Sequence, residues 1–334
     1  MMISSIDDYC SEVEGILDAN LAKLDARNIN ENINEEKVLS VYDKCKKYFD
    51  RYNSFVVEKD TVIPKPDWGD LVLNPNEINY LNNLNELQSH NYHRLFSNCM
   101  NDVIQTSYDA GYNDFFFVLD DRNTLYGHAA SNLVGRQNNP INFTIKGKVY
   151  SFFGKNSNYV NVSILGDVNS FFGNSASNLK AFVRGDVSYK TASDSINMSL
   201  FVDGNVSYSC GRTSVNFMTI IKGDVDKHFG IHSGNLRAII KGGADADFAK
   251  YCSGADITIE GKIKGNEFLR LTTSSILKSS NIETINSAKK LFRLSRRMIY
   301  LPIFSGYNRL IHVEEDGNQK LVARFTWNWK MHII

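Results

Sequence analysis

Residues 166–185 read GDVNSFFGNSASNLKAFVRG. The opening pattern of this stretch returns along the chain as GNVSYSCG from residue 204 and as GDVDKHFG from residue 223. A fixed period near twenty residues is typical of a solenoid, in which each repeat forms one coil and buries its apolar face only against its neighbours. The glycine recurs every nineteen residues, at Gly147, Gly166, Gly185, Gly204, Gly223, Gly242 and Gly261.

Positions at a fixed distance from these glycines have a fixed chemical character. The period-two spacing of the apolar positions predicts strands, and it argues against helical repeats, whose period is 3.6 residues. We therefore predict a parallel β-helix of about seven coils over residues 121–279. Its expected inward residues two before each glycine are all β-branched, as strands favour: Ile145, Ile164, Val183, Val202, Ile221, Ile240 and Ile259.

Two further sets of positions predict how each coil turns. The residue seven after the glycine is always small, which predicts a corner where the chain passes close or takes a positive φ. Twelve residues after the glycine the sequence has asparagine in four successive repeats, and stacked asparagines can hydrogen-bond from coil to coil. The small residues are Gly154, Gly173, Ala192, Gly211, Gly230 and Ala249, and the asparagines are Asn178, Asn197, Asn216 and Asn235.

The two ends of the chain predict caps, because the open end of a solenoid exposes unpaired backbone. Residues 1–120 predict a helical domain, with an apolar stripe from Val38 to Tyr52 and a helix opened by Asn74-Pro75. Residues 280–334 predict a small α/β cap. It would contain an amphipathic helix at Ala288–Met298 and strands around 300–303, 310–313 and 322–327, with a turn at 315–317.

Composition limits the classes of protein to consider. Lysine plus arginine equals aspartate plus glutamate, 37 each, so net charge gives no attraction to nucleic acid or anionic membrane. The sequence shows neither a signal peptide nor an apolar run long enough to cross a bilayer. Five scattered cysteines predict reduced, mostly buried thiols and no metal centre. We expect no cofactor, no membrane contact, and a cytoplasmic location, or a virion if the protein is viral.

The repeats Gly166–Gly173 and Gly223–Gly230 resemble the glycine-rich repeat of the GXGXG domain. That family forms the C-terminal domain of the glutamate synthase large subunit and occurs in a formylmethanofuran dehydrogenase subunit. The resemblance covers about residues 127–279 and implies a single-stranded right-handed β-helix that acts as a spacer and packing block. In the second half of each repeat, the family's extra glycines are replaced here by Ser, Ala and Asn. The resemblance therefore carries over a fold and no catalytic residue.

Polar residues near the coil corners are weak candidates for catalysis. Ser209, His228 and Asp247 stand five residues after successive glycines, as does Lys190, and alternation predicts that they face outward. A serine–histidine–carboxylate line suggests a nucleophile, although a solvated polar face is the favoured interpretation. Asp226, Asp245 and Asp247 form a second candidate, since glycan-cleaving enzymes use paired carboxylates. A hydrated turn surface is favoured there too.

An apolar stripe is the more informative surface. Phe182, Phe201, Ile220 and Ile239 stand three residues before their glycines between inward neighbours, so we predict that they point outward. Such a stripe should be covered by another part of the chain or by a partner. The basic residues Lys289, Lys290, Arg293, Arg296 and Arg297 suggest a helix docked by one face rather than a nucleic-acid contact.

The sequence favours a non-enzymatic function: a rigid structural or docking protein in a larger assembly, such as a phage or virus particle. It would join a protein partner, or a second copy of itself, through a face of the β-helix. Two alternatives stay open. One is a protein that binds or cleaves glycans through its surface aspartates, and the other is an accessory subunit of a glutamate synthase-like redox complex.

Overall fold

The computed structural model describes residues 15, 18–20, 22–29, 31–54, 66–84, 93–119, 128–264, 275–286, 288, 308–314, 318–325 and 331–333. The chain divides into two compact units, Met1–Gly166 and Asp167–Ile334. The strands form a β-solenoid of about seven turns with a spacing of about 19 residues, as predicted. The domain boundaries that we placed at residues 120 and 279 stay a prediction.

In the described part of the chain, three helices and twelve strands have assigned bounds, and residues 18–20, 22–25 and 282–286 are also helical. The helices are α1 (Glu35–Ser54), α2 (Pro75–Asn82) and α3 (His93–Asp109). The strands are β1 (Asp114–Val118), β2 (Ile141–Lys146), β3 (Asn158–Leu165), β4 (Ser177–Val183), β5 (Ser199–Val202), β6 (Met218–Ile221), β7 (Arg237–Ile240), β8 (Asp256–Ile259), β9 (Ile276–Ser279), β10 (Asn308–Val313), β11 (Gln319–Phe325) and β12 (Met331–Ile333).

In the first unit, the helices are joined through one buried carboxylate. Asn74 caps α2 through its side chain, as predicted, and Glu77 completes the capping box by accepting a hydrogen bond from the Asn74 backbone N–H at 2.8 Å. Glu77 is buried, and it also accepts from the Asn34 backbone N–H and from Lys37 Nζ at 3.0 Å. One side chain therefore fixes both the start of α2 and the entry to α1.

The strands of the first unit pair in parallel, β1 with β2 and β2 with β3. Their interior is aromatic. Phe143 lies 5.7 Å from both Phe115 and Phe153, measured between ring centroids, and all three rings are buried. Aromatic groups bury large apolar areas, so this cluster stabilises the first coils.

In the second unit, β4 to β9 form a parallel ladder in which each strand pairs with the next. The register advances by one repeat at each step: Ala181 pairs with Leu200, and Leu200 with Thr219. The residues predicted to face inward are buried. Six positions after the glycine, the interior column runs through Phe172, Thr191, Cys210, Phe229 and Phe248, all 0% exposed.

The residue after each glycine ties one coil to the next. Asp186 accepts a hydrogen bond from the Asn205 backbone N–H at 2.7 Å, and Asn205 in turn accepts from the Asp224 N–H at 2.9 Å. The glycine itself is required by close approach. A Cβ on Gly223 would lie 2.6 Å from the carbonyl oxygen of Gly204, so no side chain fits between the coils.

The small residues seven positions after the glycine all lie at a corner with positive φ, between 50° and 69°. Other corner positions take the same left-handed conformation without glycine. Lys190, Thr213 and Asn216 have φ values of 56°, 59° and 54°. Left-handed backbone is costly for residues other than glycine, so neighbouring coils must hold these corners in place.

The end of the second unit extends the sheet. β10 pairs in parallel with β9, and β11 and β12 follow antiparallel, with an irregularity in register between Leu310 and Ile311. The predicted strands around 310–313 and 322–327 thus correspond to β10 and β11. The predicted helix at Ala288–Met298, except Ala288, the strand at 300–303 and the turn at 315–317 lie outside the described residues.

Candidate functional site

The corner five residues after the glycine carries the predicted serine–histidine–carboxylate line. Ser209 does not face outward, as we predicted from alternation, but is fully buried. The prediction was wrong for Ser209, and its φ of 63° does not explain this, because Lys190, His228 and Asp247 at the same repeat position are also left-handed and are only half-buried. The Ser209 hydroxyl has no hydrogen-bond partner in the described structure.

His228 and Asp247 form an ion-pair group at this corner. Asp247 lies 3.2 Å from His228 Nε2 through one carboxylate oxygen and 2.7 Å from Lys250 Nζ through the other. Because the Ser209 hydroxyl is without a partner, it gives no proton to His228, and the serine is shielded from any substrate. The line is therefore not assembled as a nucleophile and its base. What the structure has is a half-buried Lys–Asp–His group.

The other two aspartates of the carboxylate cluster close their own turns. Asp226 accepts a hydrogen bond from the Lys227 backbone N–H, and Asp245 accepts one from the Ala246 N–H, each at 2.7 Å. Asp226 is exposed and Asp245 is half-buried. In each case the second carboxylate oxygen has no hydrogen bond to a described residue. These two oxygens are therefore open to a ligand.

A row of aromatic rings, which the sequence did not predict, runs along neighbouring coils. Tyr189 and Tyr208 stack on each other, with centroids 5.5 Å apart and planes at 23°. Phe171 extends the row at one end, and His228 lies 4.5 Å from Tyr208 at the other. The two tyrosine faces are turned toward each other, so the row offers ring edges and hydroxyl groups to solvent. A tyrosine stands four residues after the glycine in two successive repeats, and from this recurrence the row of rings could have been predicted.

The asparagines twelve positions after the glycine form a ladder on another corner. Asn216 Nδ2 donates to Asn197 Oδ1 at 2.8 Å, and Asn235 Nδ2 donates to Asn216 Oδ1 at 3.0 Å. Asn197 donates in the same way to Asn178 at 3.2 Å. Next to the ladder, Ile196 and Val215 are 47% and 44% exposed. This corner is thus a polar ladder beside two exposed aliphatic side chains.

The apolar stripe is largely covered. Phe201 and Ile220, at its centre, are 4% and 2% exposed, whereas Phe182 and Ile239, at its ends, are half-buried. Since these exposures belong to a single chain, other parts of the same chain cover the centre. The ammonium group of Lys222 lies 5.7 Å from the centroid of the Phe201 ring. The basic residues 289–297 lie outside the described part.

The cysteines of the described part are buried free thiols. Burial raises the pKa of Cys210 well above its usual value and that of Cys252 to about 12. A hydrogen bond to Cys99, together with burial, raises the pKa of Cys45. These thiols are therefore protonated at neutral pH, and a protonated thiol is a poor nucleophile and a poor metal ligand.

The described residues contain no group of three or more histidine, cysteine, aspartate or glutamate side chains placed to hold a metal ion. Nor do they contain a helix whose length and hydropathy would let it cross a membrane.

Comparison with known protein families, with curated proteins and with solved structures found no match to this chain. The class that the structure defines is the β-solenoid, with helices in its first unit and antiparallel strands at the end of its second.

Proposed function

We propose that this chain is a non-enzymatic structural or docking protein whose β-solenoid is a rigid component of a larger assembly. One observation supports this most directly: polar side chains at two corners bond to the next coil. Asp186 and Asn205 hold the backbone of the following coil, and the asparagine ladder runs along another corner. Such bonds resist the local opening of a coil, which makes the solenoid suitable as a spacer.

The corner at His228 supports the same proposal. Both oxygens of Asp247 are engaged, one by Lys250 and the other by the His228 ring, and Ser209 is closed off from solvent. An enzyme that used this line would need an accessible nucleophile in contact with its base. An ion-pair group that ties Asp247 to His228, one coil earlier, fits a structural role instead.

A partner would contact the ends of the apolar stripe. Phe182 and Ile239 are half-buried, and the exposed cations Lys180 and Arg237 stand beside them on the same strands. Aromatic and aliphatic groups flanked by charge are common at protein interfaces. Phe201 and Ile220, at the buried centre of the stripe, would add to this surface only if the residues that cover them moved away.

The mass of the native particle tests the proposal. Light scattering on material from the source organism should give a mass well above that of one chain, with copurifying partners identified by mass spectrometry. Phe182→Asp and Ile239→Asp should reduce that mass toward the single chain. Ser207→Asp, at an exposed position elsewhere on the coil, should leave it unchanged. A particle with the mass of one chain and no partner would argue against the docking function.

Glycan binding is the second candidate, because Asp226 and Asp245 stand at the same position of successive coils and each closes only its own turn, and tyrosines stand one position later on the two preceding coils. Hydroxyl and carboxylate groups can bond sugar hydroxyls. However, the stacked tyrosine faces are not open for sugar stacking. Asp226→Asn and Asp245→Asn would abolish cleavage or weaken binding of an oligosaccharide without unfolding the protein. Asp186→Asn serves as the control, since its carboxylate bonds the next coil.

For biological context we propose a phage or virus particle, with the coils related to the GXGXG type. The recurring Gly-Asp-Val, with a small residue seven positions after the glycine, supports the relation to the GXGXG type. Detection of this chain in purified particles by mass spectrometry would support the phage or virus context. Copurification with a flavin or iron–sulfur protein would favour a redox accessory subunit instead.

A further inference from the structure

The first coil of the solenoid begins with β1, the first strand in the described part of the chain, and no earlier described coil covers its outer edge. The unpaired edge of a strand presents backbone N–H and C=O groups that can pair with another chain, which makes it a site of aggregation or assembly. In this protein, side chains of α2 and α3 lie at that edge.

Amide side chains of α2 and its C-cap satisfy the end of β1. The backbone N–H of Val118 donates to Asn79 Oδ1 at 3.0 Å, and Asn83 Nδ2 donates to the Val118 carbonyl at 3.3 Å. The Val118 N–H thus has an acceptor, and the Val118 carbonyl has a donor. These are the two groups that a neighbouring strand would have supplied.

A single amide of α3 does the same for another part of the first coil. Gln105 Oε1 accepts from the Val134 N–H at 2.9 Å, and Gln105 Nε2 donates to the Val134 carbonyl at 3.2 Å. On its opposite edge, the segment containing Val134 bridges in parallel to the next coil at Asn158. Gln105 therefore occupies the position of the missing coil. Asn101 of α3 adds a bond to the His128 carbonyl at 2.8 Å.

We propose that Asn79, Asn83 and Gln105 form an amide seal that closes the first coil against end-to-end addition of a second copy of this chain. The sealed residues Val118 and Val134 lie on two different segments of one coil. In the described sheet β12 is the opposite edge strand, since β10 pairs with β9 and β12 pairs with β11. An exposed edge at Val118 could therefore pair with β12 of another copy and continue the sheet from copy to copy. This proposal concerns the end of the solenoid and does not depend on the docking function.

The test uses the full chain with Asn79→Ala, Asn83→Ala and Gln105→Ala combined. Hydrogen exchange at the Val118 and Val134 amides should become faster by roughly tenfold or more, as loss of a net hydrogen bond predicts. Sedimentation velocity should then show a mass that rises with protein concentration. The assemblies should diffract at about 4.8 Å along their long axis, which is the spacing of paired strands. The matched control is Asn98→Ala, at an exposed position on α3.

Three results would overturn the proposal. The exchange could stay at the parent rate, the mass could stay constant although exchange is faster, or the variant could form aggregates without the strand spacing. Asn79→Ala alone provides a milder second variant if the triple variant loses its β-sheet circular dichroism. It removes the acceptor for the Val118 N–H and leaves the two bonds to Val134 in place. Faster exchange confined to Val118, with weak concentration-dependent association, supports the seal, and an unchanged mass counts against it.

Discussion

In the helices of the first unit each stabilising contact occurs once, whereas in the coils of the second unit each contact is repeated every nineteen residues. Glu77 is one buried carboxylate that bonds both the start of α2 and the entry to α1, where Asn74 and Asn76 add bonds to the backbone before α1. Phe229, by contrast, is one member of an interior column, and Asn216 is one member of a ladder. The helices thus depend on a few particular side chains, and the coils depend on a pattern.

This difference predicts how damage spreads. In a repeat protein, stability is close to a sum of terms within coils and between neighbouring coils, so a defect in one coil stays near that coil. A defect at a contact that occurs once affects every element that the contact joins. The substitutions below test this distinction, from the largest expected change in the free energy of unfolding to the smallest.

Phe229→Ala should cost the most, about 3–5 kcal/mol, because it leaves a cavity in a packed core. Phe229 is fully buried, and its ring centroid lies 5.5 Å from that of Phe248 in the next coil. Urea unfolding followed by circular dichroism measures the loss. Phe229→Leu, which keeps much of the volume, should cost less than about 1.5 kcal/mol. Equal losses for both variants would mean that the column is not packed as described.

Glu77→Ala should cost about 3 kcal/mol, since it removes a charged acceptor and leaves two backbone N–H groups and Lys37 without their partner. Thermal unfolding measures it, and hydrogen exchange should show faster opening of both α1 and α2. Glu77→Gln keeps one acceptor and should cost about half as much. If only α2 opened faster, Glu77 would not join the two helices.

The same difference decides how much of the structure could be predicted. The interior columns and the asparagine ladder could be read from the sequence, because each position recurs in several coils and chance agreement averages out. The burial of Ser209 could not, since His228 and Asp247 share its repeat position and its positive φ and yet are only half-buried. The bonds of Gln105 to Val134 could not be predicted either: they join residues 29 apart through one side chain that occurs once.

Some of what was missed does recur and could have been found. An aspartate or asparagine directly follows the repeat glycine, at positions 167, 186, 205 and 224, and we predicted no role for it. Its role is to bond the backbone of the next coil, as Asp186 does for Asn205. The tyrosines at 189 and 208 are the other recurring position that was overlooked. Recurrence at a polar surface position indicates a bond between coils as readily as recurrence of apolar residues indicates a core.

Asn216→Ala should cost about 1–2 kcal/mol. It breaks two bonds of the ladder, to Asn197 and from Asn235, and it places alanine at a φ of 54°. Asn216→Gly separates the two causes, since glycine adopts positive φ freely and loses only the bonds. Chemical unfolding should rank the glycine variant between the parent and the alanine variant. Hydrogen exchange should show that the faster opening is confined to the coils on either side, because the ladder acts between neighbours.

Thr213→Asn should stabilise the protein by about 0.5–1 kcal/mol, the smallest effect of the series. Thr213 is exposed and has a φ of 59°, a conformation that strongly disfavours β-branched side chains and that asparagine tolerates. Its backbone N–H donates to the Ile231 carbonyl of the next coil at 2.8 Å, so the corner keeps this conformation whatever its side chain. Ser207→Asn is the matched control, at an exposed position whose φ is not positive, and it should change the stability little. Thermal unfolding resolves the two variants. A gain at both positions would reflect asparagine itself rather than relief of the left-handed backbone, and the coil would then not be imposing its corner on Thr213.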